Sequence, residues 1–520
     1  MMSRLLNNLA DRHGAPWGSL SRLRPTMPWR SWLLSTTLLL CLPEAGPAQV
    51  QGSGENTVRG LLEQHVTAFN AGTEALSNSL ALTFEDGVDL DAELDRWARW
   101  RHIHGELVLH GVLIDRPDRF RAFYRGRVTH SWVELTANLS RKDPGRLRNI
   151  ALGSGLRPAL EGVPEPMDLA SALSKVRAYF ASMENADLFS GTVLVAIGDS
   201  VVLEEAYGYR DAARSIPVTS QSTFNIGSIT KVFTALRVMQ LVETGDLGLE
   251  RPIVELSLGV PDSMVQGILV AQLLDHTSGI GRGAYDRSLF PFNDLTVEQL
   301  VPLTIASPDF PPGTDVRYSN AAFILLGRAL ELIAGRDYYE QMDEYIFQRA
   351  GMDRSGFFSV DDTVADKAEC LTLGRFHRMD SVVLYEDGVR RSAVYLNGYR
   401  GSPAGMSYSS ARDLHAFIRA TVDHRLLSAP GTEQFLSPSV ALPRESEHMP
   451  AMSYGMAWEI EDLAGHRILR KDGGTWGASA RMAYVPDRDM TIVVLSNYDS
   501  IGIMAADHIT DLLLGLDGLR

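Results

Sequence analysis

The chain has 520 residues, with 49 Lys plus Arg against 64 Asp plus Glu and a formal charge of −15. A balance of 45% hydrophobic and 22% charged residues excludes wholesale disorder or a fibre, and the acidic total argues against a nucleic-acid binder, which needs a concentrated basic face. Two cysteines, Cys41 and Cys370, exclude a disulfide framework and a Cys-rich zinc or iron–sulfur site.

The first segment is basic: Arg4, Arg12, Arg22, Arg24 and Arg30 precede an apolar run from Trp32 to Leu42, and small residues follow at Gly46 and Ala48. A basic stretch, a short apolar core and small residues form a secretory signal pattern. The core is shorter than the roughly 20 apolar residues of a membrane span. A signal peptide over 1–48 is therefore expected, with an exported protein, periplasmic or extracellular, and no stable membrane span after cleavage.

From Thr57 the pattern turns amphipathic, with Val58, Leu61, Leu62, Val66 and Phe69 at helical spacing. Alternating stretches follow at 107–114, 131–139 and 147–152, separated by turn residues at 115–118 and 142–145. Helices and then strands predict a small α+β domain over 56–153. This order, with the Ala-Phe-Asn-Ala-Gly stretch at 68–72, weakly resembles the cone-shaped SnoaL-like fold. His102, His104 and His110 fall in this region, and His102 and His104 could share a strand face. No carboxylate spacing supports a metal site, so no metal is expected.

Gly- and Pro-rich residues 154–167 read as a linker, and a second domain is placed at 168–520. Its opening helix runs from Met167 to Met183, and 191–206 carries a hairpin signal. Strands are expected at 454–460, 466–470, 478–485 and 490–496, with a closing helix at 502–515. The middle is mostly helix and loop, so one sheet completed by the two ends of the domain is expected.

Ser228 and Lys231 lie at the start of an apolar-periodic run that stops at Gly245, and a spacing of three puts them on one helix face. A helix N-terminus favours a developing oxyanion. A serine hydroxyl becomes a nucleophile when a base takes its proton, and a lysine of lowered pKa can do so. Farther on come Leu274-Asp-His-Thr-Ser-Gly279, Tyr318-Ser-Asn320 ahead of a helix, the Gly401–Asp413 turn, and Lys471-Asp-Gly-Gly-Thr-Trp-Gly477.

With these motifs in this order the chain resembles the serine β-lactamase and penicillin-binding-protein superfamily, in its class C and esterase branch, over about 168–515. The resemblance implies a β-lactamase/transpeptidase-like α+β fold, an antiparallel sheet flanked by helices plus a helical subdomain. It implies that Ser228 is the acylated nucleophile and that Lys231 and Tyr318 form its base system, either one taking the proton. It further implies that Asn320 holds a substrate carbonyl or the Lys231 ammonium, that Lys471 supplies positive potential, and that Gly473, Gly474 and Trp476 border the substrate. The oxyanion hole would be the N–H groups of Ser228 and Gly474. No cofactor is implied.

Asp472 stands where penicillin-recognising members carry a hydroxyl, so a carboxylate near the binding edge would repel an anionic substrate or remove a donor. Trp476 offers an apolar surface for an acyl or aromatic group, or simply packs in the core. The expectation is a serine hydrolase acting on a small-molecule or peptide-like ester or amide. D-Alanyl-D-alanine carboxypeptidase or β-lactamase activity is the alternative, and a non-catalytic scaffold of the same fold is the second.

Overall fold

The computed structural model describes residues 57–154 apart from 144, 168–281 and 295–515, except 306, 360–361, 379–380, 385–387, 394–396, 398–399 and 444–449. The expected signal peptide at 1–48 lies outside the described residues, as do nearly all of the expected linker and part of the loops around 280–312 and 371–400.

Three helices open the described chain: α1 (Val58–Ala71), α2 (Thr73–Thr83) and α3 (Leu90–His104). Side-chain caps fix two of their starts, since Thr57 accepts from Gly60 N and Asp89 from Ala92 N. An antiparallel sheet follows in the order β1 (Leu107–Arg116), β2 (Arg119–Gly126), β3 (Trp132–Leu139) and β4 (Leu147–Ser154). Its core joins Leu62, Phe69 and Trp97 from the helices to Phe120, Ala122, Val133 and Leu135 from the sheet. His102 and His104 belong to α3, not to a strand as expected, because the helical run continues to Gly105, whose φ of +68° ends it.

The second sheet begins after α4 (Leu169–Asn185), capped by Asp168. Strands β5 (Gly191–Ile197) and β6 (Ser200–Tyr207) form its first hairpin. The helical middle contains α5 (Thr230–Glu243), α6 (Asn320–Ala334) and α7 (Ala411–Val422). Strands β7 (Pro438–Ala441), β8 (Ala451–Gly455), β9 (Glu459–Leu463), β10 (His466–Thr475), β11 (Ala478–Val485) and β12 (Met490–Ser496) follow, and α8 (Ile501–Leu514) closes the fold. The order β7-β8-β9-β10-β11-β12-β5-β6 is antiparallel throughout, so the two ends of this region meet at the β12–β5 pair.

Period-2 alternation sends the two faces of this sheet to different helical layers. Leu194, Ala196, Met482 and Leu495 face the core that contains α5, α6 and α7, while Val193, Val195, Ile492 and Val494 face α4 and α8. Helix α5 is buried at every position from Thr230 to Leu241, which makes it the axis of the helical side. The expected strand 454–460 is two strands with a turn between them: Gly455 N donates to the Trp458 carbonyl, and Ala457 sits at φ +69°. An apolar run cannot signal such a turn when the residue in the left-handed region is alanine rather than glycine.

The four-stranded sheet is tied to the helices behind the larger one. Tyr179 of α4 donates to the Thr129 carbonyl at 2.8 Å, and His508 of α8 stacks on His130 with ring centroids 4.3 Å apart. Arg125 Nη2 lies 3.2 Å from His508 Nδ1. Burial, reinforced by the neighbouring cations, pushes His508 far below its ordinary value, so it meets Arg125 as a neutral acceptor.

Candidate active site

Ser228 stands on a short 3-10 turn, Gly227–Ile229, that leads directly into α5. The turn is pinned from several directions. Gly227 takes φ +46°, its N donates to Asn225 Oδ1, and its carbonyl accepts from Met406 N and from Thr230 Oγ1. The Gly401–Asp413 motif therefore acts as a brace for the serine turn.

Lys231, one helical turn on, is fully buried, and its Nζ has three neighbours: Ser228 Oγ at 3.2 Å, Asn320 Oδ1 at 2.8 Å, and the Ala404 carbonyl. Burial, and then the charge of Lys471, hold Lys231 well below the usual lysine value. A neutral amine has two N–H bonds and one lone pair. With Asn320 Oδ1 and Ala404 O claiming the N–H groups, the lone pair is left for the serine proton.

Tyr318 donates its hydroxyl to Ser228 Oγ at 2.6 Å. Two lysine nitrogens lie near its ring, Lys231 Nζ at 4.8 Å and Lys471 Nζ at 5.1 Å from the centroid. Lys471 is itself fully buried and pairs with Glu459 Oε1 at 3.4 Å. Ser319, the N-cap of α6, fixes where Tyr318 and Asn320 leave the chain.

Strand β10 closes the site. Strand β9 covers only His466–Arg470 on one edge of β10, while β11 covers Leu469–Thr475 on the other. The edge from Lys471 to Thr475 is thus open toward the serine turn. Its approach is so close that a Cβ on Gly473 would fall 1.9 Å from the Ile226 carbonyl oxygen, and one on Gly227 would fall 2.4 Å from Gly474 N. The two glycines let the Gly474 and Ser228 amides share one small volume.

One expectation about the third motif changes. The Asp472 carboxylate points to the opposite face, where Arg481 binds both its oxygens at 2.5 and 2.7 Å. Successive residues of a strand face opposite sides, so Lys471 takes the site side and the Asp472 charge is paired away from it. The missing hydroxyl remains a real difference. Trp476 is partly buried against Cys370, Ala393 and Ala478. Asn397 holds its segment by accepting from Thr475 Oγ1 at 2.6 Å and donating to the Trp476 carbonyl at 2.5 Å.

His276 was singled out only as part of a motif, yet it brackets Tyr318. Its carbonyl accepts from Arg317 N at 2.9 Å, its Nδ1 accepts from Ser319 N at 3.2 Å, and its ring lies 4.6 Å from that of Tyr318. Burial, and then the charge of Lys471, keep the imidazole neutral, as its acceptor role requires. His276→Phe retains a ring but strands the Ser319 N–H. It is expected to lower kcat by about 10²-fold, the cost of a 1 Å misplacement, with KM little changed. His276→Asn, which keeps an acceptor and tolerates the φ of +65° found here, should recover part of the loss. Steady-state kinetics beside thermal melts separate this from simple destabilisation.

An antiparallel sheet between two helical layers, with serine, lysine and tyrosine meeting at the start of the central helix, defines the β-lactamase/transpeptidase-like class. A model of the family described as Beta-lactamase matches residues 176–515, and the chain belongs to that family. It is 28% identical over 352 residues to penicillin-binding protein 4 of Amycolatopsis lactamdurans, covering 64% of this chain and 86% of that protein. Esterase EstB of Burkholderia gladioli is 29% identical over 212 residues, 38% of this chain and 54% of the esterase. The crystal structure of a penicillin-binding protein from Bacillus halodurans superposes with a TM-score of 0.56 at 26% identity, covering 67% of this chain and 100% of that one.

Proposed function

We propose that the protein is an exported serine hydrolase that cleaves an ester or amide of a small-molecule or peptide-like substrate through an acyl-enzyme on Ser228. The observation that carries this reading is the pair of contacts on Ser228 Oγ, Tyr318 hydroxyl at 2.6 Å and Lys231 Nζ at 3.2 Å, with the other Lys231 neighbours both acceptors. Ser228 Oγ attacks the carbonyl carbon while its proton passes to the Lys231 lone pair. The Ser228 and Gly474 amides receive the developing oxyanion, each worth roughly 3 kcal/mol. The Tyr318 hydroxyl gives its proton to the departing alcohol or amine and regains one from the Lys231 ammonium. Water then attacks the acyl-enzyme by the same route and releases the acid.

Similarity to an esterase, and the absence of a hydroxyl at Asp472, favour an ester or simple amide over a β-lactam. The similarity to a penicillin-binding protein, with Asp472 neutralised on the far face, keeps D-alanyl peptidase or β-lactamase activity as a second reading. A fluorophosphonate probe is expected to label Ser228, with turnover of a chromogenic short-chain ester faster than that of a chromogenic cephalosporin. Rapid cephalosporin opening would reverse the order of the two readings. No labelling of Ser228, with no turnover of either compound, would leave a non-catalytic scaffold.

A further inference from the structure

A cavity of about 700 Å³ lies between α3 and the turn that precedes α8, away from Ser228. That volume falls in the range of small-molecule sites. Apolar walls come from Trp100, Ile103, Leu188, Leu373, Ile501 and Met504. Three arginines, Arg96, Arg99 and Arg390, also line it, together with Asp95 and Asp499.

Neither Arg390 nor Arg99 is fully compensated by the carboxylates around it. Arg390 lies over the Tyr498 ring at 3.7 Å and donates through Nη2 to the Asp187 carbonyl at 3.2 Å, while its buried Nε has no partner among the described residues. Burial disfavours the charged form of both, and the nearby carboxylates do not fully offset it. Asp499, one of two acids in the cavity lining, lies near enough to Arg390 to favour its charged form, and it accepts from Gly477 N at 2.5 Å. A buried guanidinium with an unmet donor beside apolar walls fits an anionic head on an apolar body.

We propose that this cavity binds an amphipathic carboxylate of the medium-chain fatty-acid class. The carboxylate lies against Arg390 and Arg99, and the chain lies against Trp100, Ile103, Ile501 and Met504. Asp499 connects the occupant to the catalytic strand, because the amide it holds, Gly477, ends the segment that carries Gly474 and Trp476. Occupancy therefore changes turnover at Ser228; this coupling rests on the proposed hydrolase, whereas the binding does not.

The test is calorimetric titration of the full chain with decanoate, and with decylamine as the cation of matched length. Saturable decanoate binding is expected, at least tenfold weaker in Arg390→Met and lost in Ile103→Trp, which fills the cavity from another element. Binding should persist in Ser228→Ala, and decylamine should bind poorly. Equal binding of both ligands, no binding of decanoate, or unaltered binding in folded Arg390→Met and Ile103→Trp would overturn the site. Saturating decanoate should also alter ester turnover by the wild type and not by Ile103→Trp. An unchanged wild-type rate would overturn the coupling, and an equal effect on both would place decanoate at Ser228 instead.

Discussion

Lys231→Met is expected to lower ester kcat/KM by about 10²–10⁴-fold, the usual contribution of a positioned proton acceptor. Methionine fills much the same volume but offers no lone pair to the Ser228 proton. The wild-type pH profile should carry an acid limb below the ordinary lysine range, since burial and the charge of Lys471 depress Lys231 and only its neutral form is active. Stability carries the same signature. Between the lowered folded value and the ordinary 10.5, the unfolded chain holds a proton that the folded chain does not, so this group makes stability rise with pH. One full proton of difference is worth about 1.4 kcal/mol per pH unit. Lys231→Met should lose that slope in urea titrations run across the alkaline range. A variant that retains both the acid limb and the slope would show that neither belongs to Lys231.

Arg481→Met is expected to cost about 3–5 kcal/mol of folding stability, the usual penalty for removing one partner of a buried pair. The Arg481 side chain is 3% exposed and binds Asp472 through two nitrogens and Asp507 of α8 through a third. Arg470 Nη1, 3.4 Å from Asp507, cannot neutralise both carboxylates, since it also lies 3.4 Å from Glu461. Asp472→Leu combined with Arg481→Met should recover part of the loss, because it removes the Asp472 charge while Asp507 keeps Arg470 at 3.4 Å, shared with Glu461. Urea melts of the two single variants and the double variant measure this directly. Additive losses would mean that packing of Arg481, not its pairing, is what matters.

Much of the fold was legible in the chain because its signals are local. The run from Val232 to Val242 carries helical period, and the hairpin at 191–206 carries strand and turn residues. The turn within 454–460 and the helical placement of His102 and His104 have no such local signal, since an alanine turn and a short histidine run carry no distinctive pattern.

The candidate catalytic residues could be named from the sequence, because Ser228 and Lys231 share one turn of chain and Tyr318 and Lys471 sit in recognisable motifs. What each touches was decided only by tertiary structure. Ala404 as an acceptor for Lys231 and His276 beside Tyr318 join residues far apart in the chain, while Glu459 beside Lys471 and Asp472 turned to Arg481 depend on the register of adjacent strands. Sequence determines residue type and local period, while the face a side chain presents, the water it loses and the charges it meets arise only when distant segments pack.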